Sequence, residues 1–397
     1  MQLKSFENLD LNNKTAIIRV DFNVPIKNNE VTELTRIKTT KPTIDLVKKL
    51  GGKVVLLAHL GRPEAGKYEA ELSLKQIISA IESSLNYKVD FINYDQELAS
   101  ETIKNSGNSP ESIILIENIR FFEGEETNSP EFSQRLAQLG DIYINDAFGV
   151  SHRKHASTFG ICQYLPSYAG LLLQAEITAM EKIRQGQIKK PLTVIVGGAK
   201  IDTKIGILND YAERADNLII GGALANTFLL AQGYEIGKSK VELEKVAVAQ
   251  QIMETAKANN VNLILPTDTI IAETISETSN TEIAKVENLN ENAIILDLGP
   301  ETIEKIKKTI STSGTIIWNG PMGFFELTPF ASGTKALINA ISETTAETYI
   351  GGGDSLDAMN KFGFSDFSKF THVSTGGGAM IDYLQGEAMP AVEILRN

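Results

Sequence analysis

The residues best suited to chemistry fall into two groups, one in each half of the chain. The first half spaces single basic residues along the sequence: Arg36, His59, Arg62, Arg120, Arg153 and His155. A guanidinium offers a planar fork of donors that matches the oxygens of a small, highly charged anion. The second half instead ends apolar runs in glycines, at Gly197–Gly198, Gly221–Gly222, Gly351–Gly353 and Gly376–Gly378. Lacking a side chain, glycine lets backbone N–H groups approach phosphates and nucleotides at helix N-termini. The pattern implies one ligand for each half and a transfer between them.

Each motif has a plainer alternative. RVDFNVP (19–25) puts Asp21 and Asn23 on one face of an extended segment. LAHLGRP sets His59 and Arg62 at a strand end and its turn, IENIRF presents Arg120, and VSHRKHAST presents His152, Arg153 and His155. A single arginine more often makes a surface ion pair, but a collection at strand ends favours a site. Any one glycine pair could be a tight turn, yet turns rarely need two or three glycines in succession. Asp354, in GGGDS, either caps a helix or holds Mg²⁺ directly or through water. Lys200 and Lys204 follow Gly198, and a helix beginning there would turn both to one side; a solvated pair is the alternative. GYEIGKS (233–239) resembles a Walker phosphate loop but is one residue too short between Gly and Gly-Lys, and it follows a helical stretch.

The elements that must position these groups alternate between two patterns. Strand-like runs in the first half are TAIIRV (15–20), KVVLLAH (53–59), IILIEN (113–118) and DIYINDAF (141–148). In the second half they are TVIVG, NLIIG, VNLILP, AIILDLG, TIIWNG, TYIGG and HVST. Helical patterns lie between them, such as IKTTKPTIDLVKKLGG, where Pro42 suits a first turn and Gly51 a stop. Alternation of this kind predicts α/β architecture, two doubly wound parallel-sheet units of Rossmann-like type. The boundary is expected at a connecting helix, 171–186. It separates an N-terminal domain (1–170) from a C-terminal one (187–379). The polar stretch 273–292 reads as an exposed excursion from the second sheet.

The bulk properties narrow the function. The 397 residues carry a net charge of −12, which argues against a nucleic-acid or anionic-membrane partner. A single cysteine, Cys162, allows no internal disulfide and no Cys-rich metal site. No apolar run is long enough to span a bilayer, and the first residues lack a signal-peptide core, so a cytoplasmic protein is expected.

In this order, RVDFNVP, LAHLGRP, ENIRFF, NDAFGVSHRKHAS, GGAKIDTKIG, GGALANTFLLAQGYEIGKS, WNGPMGFFE, GGGDS and HVSTGGGAM resemble phosphoglycerate kinase over essentially the whole chain. The length without large insertions is similar to bacterial members. The resemblance implies reversible phosphoryl transfer between ATP/ADP and 3-phosphoglycerate/1,3-bisphosphoglycerate, with Mg²⁺, by a monomer. It implies a phosphoglycerate site of Asp21, Asn23, Arg36, His59, Arg62, Arg120 and Arg153. It implies a nucleotide site of Gly198, Ala199, Lys204, Gly222, Asn319, Pro321, Glu326, Gly352, Gly353, Asp354 and Ser355, with Asp354 on the metal. Arg36 and Lys200, with amides near Gly353 and Gly376, would meet the transferring group. Glu176, His372 and Thr375 would lie near a hinge, and the segment 380–397 would return to the N-terminal domain. Three places depart from the family pattern: Met380 replaces a small polar residue, NAIILDLGP lacks a preceding Trp-Met, and the loop after Pro63 is lengthened.

Overall fold

The computed structural model describes residues 2–28, 30–93, 109–202 and 204–397. The chain divides into two compact units, Met1–Thr178 with Gly386–Asn397, and Ala179–Gln385. The division falls inside one continuous helix, Leu171–Arg184.

The first unit is built on a six-stranded sheet. In chain order the strands are β1 (Thr15–Arg19), a small hairpin of β2 (Ile26–Lys27) and β3 (Glu30–Val31), β4 (Lys53–Leu57), β5 (Lys88–Ile92), β6 (Ser112–Ile116), β7 (Ile142–Asn145) and β8 (Ser167–Ala169). The sheet runs β5-β6-β4-β1-β7-β8, and its pairings are parallel. Successive strand side chains point to opposite faces. Ile18, Leu56 and Leu115 therefore join one buried cluster, while Ile17, Leu57, Ile114 and Ile116 join another. A strand buried on both faces must be apolar throughout, which is why TAIIR and SIILI carry no polar alternation. Arg19 breaks that rule at the carboxyl end of β1, where it is 1% exposed.

The second unit repeats the plan. Its strands are β9 (Leu192–Val196), β10 (Asn217–Ile220), β11 (Asn262–Ile264), β12 (Asp268–Ala272), β13 (Glu282–Lys285), β14 (Ile294–Leu298), β15 (Thr315–Asn319), β16 (Glu347–Gly351) and β17 (His372–Val373). A six-stranded sheet runs β11-β10-β9-β15-β16-β17, again parallel. Here the structure corrects one expectation. AIILDLG does not join this sheet. As β14 it pairs antiparallel with β12, which also pairs with β13 out of the stretch 273–292. The third strand of this small sheet is not visible in the sequence because β13 reads EIAK with three of its four residues exposed and lacks the apolar signature of a buried strand.

In both sheets the first strand has later strands on either side: β1 between β4 and β7, β9 between β10 and β15. The winding direction reverses there, and open α/β sheets bind ligands at the carboxyl ends of strands at such a point. Parallel pairing also brings the ends of β1, β4, β6 and β7 to one edge. Residues more than a hundred positions apart in sequence are gathered in this way.

Candidate functional site

At that edge of the first unit, three loops are cross-tied. Arg36, on the short helix Thr35–Lys38, places Nη1 3.2 Å from Asp21 Oδ2 and donates to Asn23 O at 2.9 Å. Asn23 Oδ1 accepts from Gly61 N at 2.8 Å. Arg120 donates from Nη1 to Gly61 O at 2.6 Å and pairs through Nε with Glu126 at 3.3 Å. Its Nη2 is buried with no hydrogen-bond partner among the described residues. Arg153 is half-buried and donates to His152 Nε2 at 3.1 Å. Arg62 stands exposed on the turn that follows Gly61.

Beneath this cluster lies a buried network that sequence reasoning missed. Arg19 donates from Nε to Ser157 Oγ at 2.9 Å, and its Nη2 lies 3.2 Å from His59 Nδ1. A guanidinium can only donate, so Nδ1 accepts and the ring proton sits on Nε2. Burial drives His59 well below its usual range, and Arg19, Arg120, Arg153 and Arg36 add to the effect. His59 is thus a neutral donor. His155 is pushed down to about 4 by burial, then by Arg120 and Arg153. Glu125 supplies the counter-charge: it accepts from Ser157 Oγ at 2.6 Å and Ser157 N at 2.9 Å. Burial raises its carboxyl, opposed by Arg19. The available sequence signal was an arginine ending an apolar strand.

In the second unit the glycine-ended strands interlock. Gly198 N donates to Pro321 O at 2.9 Å, Gly222 N to Met322 O at 3.0 Å, and Leu224 N to Gly198 O at 3.0 Å. A Cβ on Gly222 would come within 2.6 Å of Gly198 N, so only glycine fits there. Two helices, Gly353–Lys361 and Gly377–Leu384, begin at one cavity, and neither has a side-chain cap. The cavity is lined by Gly198, Lys200, Lys204, Asn319, Gly353 and Asp354, with Gly352 and Gly377 also in its wall. Uncapped N-termini leave N–H groups free and carry a positive dipole end, a ready anion site. Ser355 is buried and its Oγ accepts from Gly320 N at 2.8 Å, which fixes the turn after β15.

Lys204 donates to Asn319 Oδ1, and burial lowers its ammonium to about 8 against the attraction of Asp354. Asn319 Nδ2 is buried without a partner among the described residues. The expected shared helix face of Lys200 and Lys204 is not formed. The helix starts at Ile205 with Lys204 as its N-cap, and Ile201 N is held by the Glu242 carboxylate instead. Both lysines still reach the same cavity. Gly376 donates its N–H to Ser374 Oγ at 3.2 Å, leaving the amides that follow it in the helix. Met380 is fully buried, its sulfur lying 2.3 Å from where a Cβ on Gly351 would sit, so it packs beneath the glycine turns.

A second cavity of about 360 Å³ adjoins the first through Gly198, Ala199 and Asp354. Its walls include Gly222, Leu296, Pro321, Phe324 and Glu326. An apolar cleft of about 300–1,000 Å³ with a few polar groups is typical of a small-molecule site. Glu176 is buried in the helix Leu171–Arg184, His372 opens β17, and Thr375 is buried just beyond it.

An arginine-lined anion cluster on one parallel unit, and paired helix N-termini with lysines on another, define a two-unit α/β phosphotransferase. The sequence profile described as phosphoglycerate kinase matches residues 6–387. A phosphoglycerate kinase from Dictyoglomus turgidum is 42% identical over 390 residues, covering 98% of this chain and 97% of its own. The solved structure of phosphoglycerate kinase from Coxiella burnetii is 42% identical with a TM-score of 0.84, covering 99% of each chain. That from Pyrococcus horikoshii OT3 is 28% identical with a TM-score of 0.83, covering 99% of this chain and 98% of its own. The chain belongs to the phosphoglycerate kinase family, a family of transferases of the kinase type.

Proposed function

We propose that the chain transfers a phosphoryl group reversibly between ATP and the carboxylate of 3-phosphoglycerate, giving ADP and 1,3-bisphosphoglycerate. The observation that carries this reading is the pair of uncapped helix N-termini that open with Lys204 and Asn319 onto one cavity. Asp21, Asn23, Arg36, His59, Arg62, Arg120 and Arg153 hold phosphoglycerate. The free Nη2 of Arg120 supports that assignment. Gly198, Ala199, Lys204, Gly222, Asn319, Pro321, Glu326 and Gly352–Ser355 hold the nucleotide.

The acceptor carboxylate, with a pKa of about 3.5, is already ionised at neutral pH. No general base is required, in keeping with a neutral His59. Catalysis of phosphoryl transfer then consists of positioning and charge stabilisation, supplied by Arg36, Lys200 and the amides at Gly353 and after Gly376. Among the described residues no cluster of three or more acids, histidines or cysteines forms a metal cage. Asp354 stands at both cavities. Mg²⁺ commonly uses one or two carboxylates plus substrate phosphates, so Asp354 fits a cation that arrives with the nucleotide. When bound, Mg²⁺ neutralises charge on those phosphates. Reacting atoms must approach to about 3–3.5 Å, so transfer requires the units to bring their ligands together. Glu176, His372 and Thr375 serve as hinge residues in this proposal, and the resemblance extends it to a monomeric, cytoplasmic enzyme.

The test is ADP release from MgATP with and without 3-phosphoglycerate, with hydroxylamine present to trap an acyl phosphate. Phosphoglycerate-dependent release matched by hydroxamate is expected. Binding of both ligands without turnover would make the chain an inactive binding protein; absence of phosphoglycerate binding would assign another acid.

A further inference from the structure

We infer that Ser157 is a positioning residue for phosphoglycerate binding: it anchors the Arg19 guanidinium to the Glu125 carboxylate and so fixes which nitrogen of His59 carries the ring proton. The inference rests on the phosphoglycerate reading of the first unit and goes beyond it by naming the groups that hold His59 in its working form.

Four side chains from separate elements form a directed chain, and all are buried: Ser157 is 0% exposed, Arg19 and Glu125 1%, and His59 2%. Arg19 ends β1, His59 follows β4, and Ser157 lies in the loops after β7. Each bond has one direction. A carboxylate only accepts, so the single hydroxyl proton of Ser157 goes to Glu125 Oε1 at 2.6 Å. Towards Arg19 the hydroxyl oxygen can then only accept, and Arg19 Nε donates to it at 2.9 Å. The same guanidinium presents Nη2 to His59 Nδ1 at 3.2 Å and Nη1 to Val20 O. Nδ1 thus spends its lone pair on Arg19, and the ring proton stays on Nε2. Ser157 is itself held on both sides: its N–H donates to Glu125 Oε2 at 2.9 Å, and its carbonyl accepts from Tyr143 Oη at 2.8 Å.

Packing alone does not account for this arrangement. A buried ion pair contributes little net stability, and well-packed apolar side chains often do as well or better. Its place beside a proposed substrate ligand points to something that apolar groups cannot do. His59 lies among Arg19, Arg120, Arg153 and Arg36, which together with burial keep the ring neutral. A neutral imidazole has one N–H and one lone pair. With the proton on Nε2, that nitrogen can donate to the oxygens of a phospho-acid, which only accept. With the proton on Nδ1, a lone pair would face those oxygens, and Nδ1–H would face the N–H of Arg19.

Long-range ¹H–¹⁵N spectra of the histidine-labelled, ligand-free protein at neutral pH report the tautomer directly, and calorimetry with 3-phosphoglycerate and with ADP reports binding. The unaltered protein is expected to show His59 protonated at Nε2 alone. Ser157→Ala removes the acceptor for Arg19 Nε. It should give a mixture of tautomers, with 3-phosphoglycerate bound about tenfold more weakly and ADP unchanged. Arg19→Lys keeps the charge but lacks the fork that spans Ser157 and His59 together, so it should show the same two changes. A tautomer mixture in the unaltered protein would overturn the inference. So would weaker binding with the tautomer still fixed in both variants, which would make Ser157 merely structural, and so would a mixed tautomer with undiminished binding. Failure of the unaltered protein to bind 3-phosphoglycerate, with Nε2 still protonated, would instead overturn the phosphoglycerate reading itself.

Discussion

Replacing Gly377 by alanine isolates the contact that holds the two helix N-termini together. A Cβ at that position would lie 2.3 Å from Gly352 Cα and 2.4 Å from Gly352 N, both of them backbone atoms. Ordinary van der Waals contact begins near 3.4 Å, so the helix Gly377–Leu384 must retreat from Gly352 by about 1 Å. Strain of this kind costs about 1–3 kcal/mol, and in a unit of this size it lowers Tm by roughly 2–10 °C. Misplacing the amides proposed to bind phosphate by about 1 Å is expected to reduce kcat by about 100-fold. The adjacent residue is the control: a Cβ on Gly378 meets nothing within 4 Å, so Gly378→Ala should not lower Tm. The assays are phosphoglycerate-dependent ADP release and thermal melting followed by circular dichroism. A Gly377→Ala enzyme within a few-fold of the original kcat would refute the reasoning, as would a Gly378→Ala protein that melts as early.

Lys200 lines the glycine cavity, and Lys200→Ala should lower kcat by about 10²–10³ while shifting the KM for phosphoglycerate little; a variant that keeps most of its kcat removes Lys200 from the mechanism. Arg153→Ala should weaken 3-phosphoglycerate binding by about tenfold or more and spare ADP, because Arg153 lies among the arginines around His59; calorimetry showing the opposite loss would reverse the assignment of ligands to units. Asp146 caps the helix Leu171–Arg184, its Oδ1 accepting from Leu172 N at 2.9 Å and Leu173 N at 3.2 Å, while Oδ2 is buried without a partner among the described residues. Burial raises its carboxyl to about 7, against the bonds from Thr43, Leu173 and Leu172. A carboxyl raised on folding costs nothing below its unfolded pKa of about 4, costs more as pH rises, and costs most above the folded value. Asp146→Asn keeps the accepting oxygen and removes the charge, so it should stabilise the protein at pH 8 by on the order of 2 kcal/mol and not at pH 4. Equal Tm shifts at the two pH values would show that ionisation is not the cause.

The residues proposed to bind charge are legible in the amino-acid sequence, because arginine forks and glycine turns announce their chemistry by type. So are the buried strands, since TAIIR or LTVIV can only be satisfied between two covered faces. The antiparallel sheet of β12, β13 and β14 is hidden there because β13 is mostly exposed and polar. The break between Lys200 and Lys204 is hidden because nothing local marks where a helix starts once a loop is tied to a neighbouring strand. Arg19 looks like the end of a strand and Asn226 like part of a helix. Their buried hydrogen bonds run to Ser157, His59 and Lys240, far off in the chain or in another element. Residue type and spacing thus determined which ligand chemistry each half could perform and that two parallel α/β units would present it. Tertiary structure alone decided which groups are buried, which polar atoms are left unpaired, and which tautomer or amide orientation they hold. Those properties arise from desolvation and from contacts between residues distant in the chain, and no local pattern encodes either.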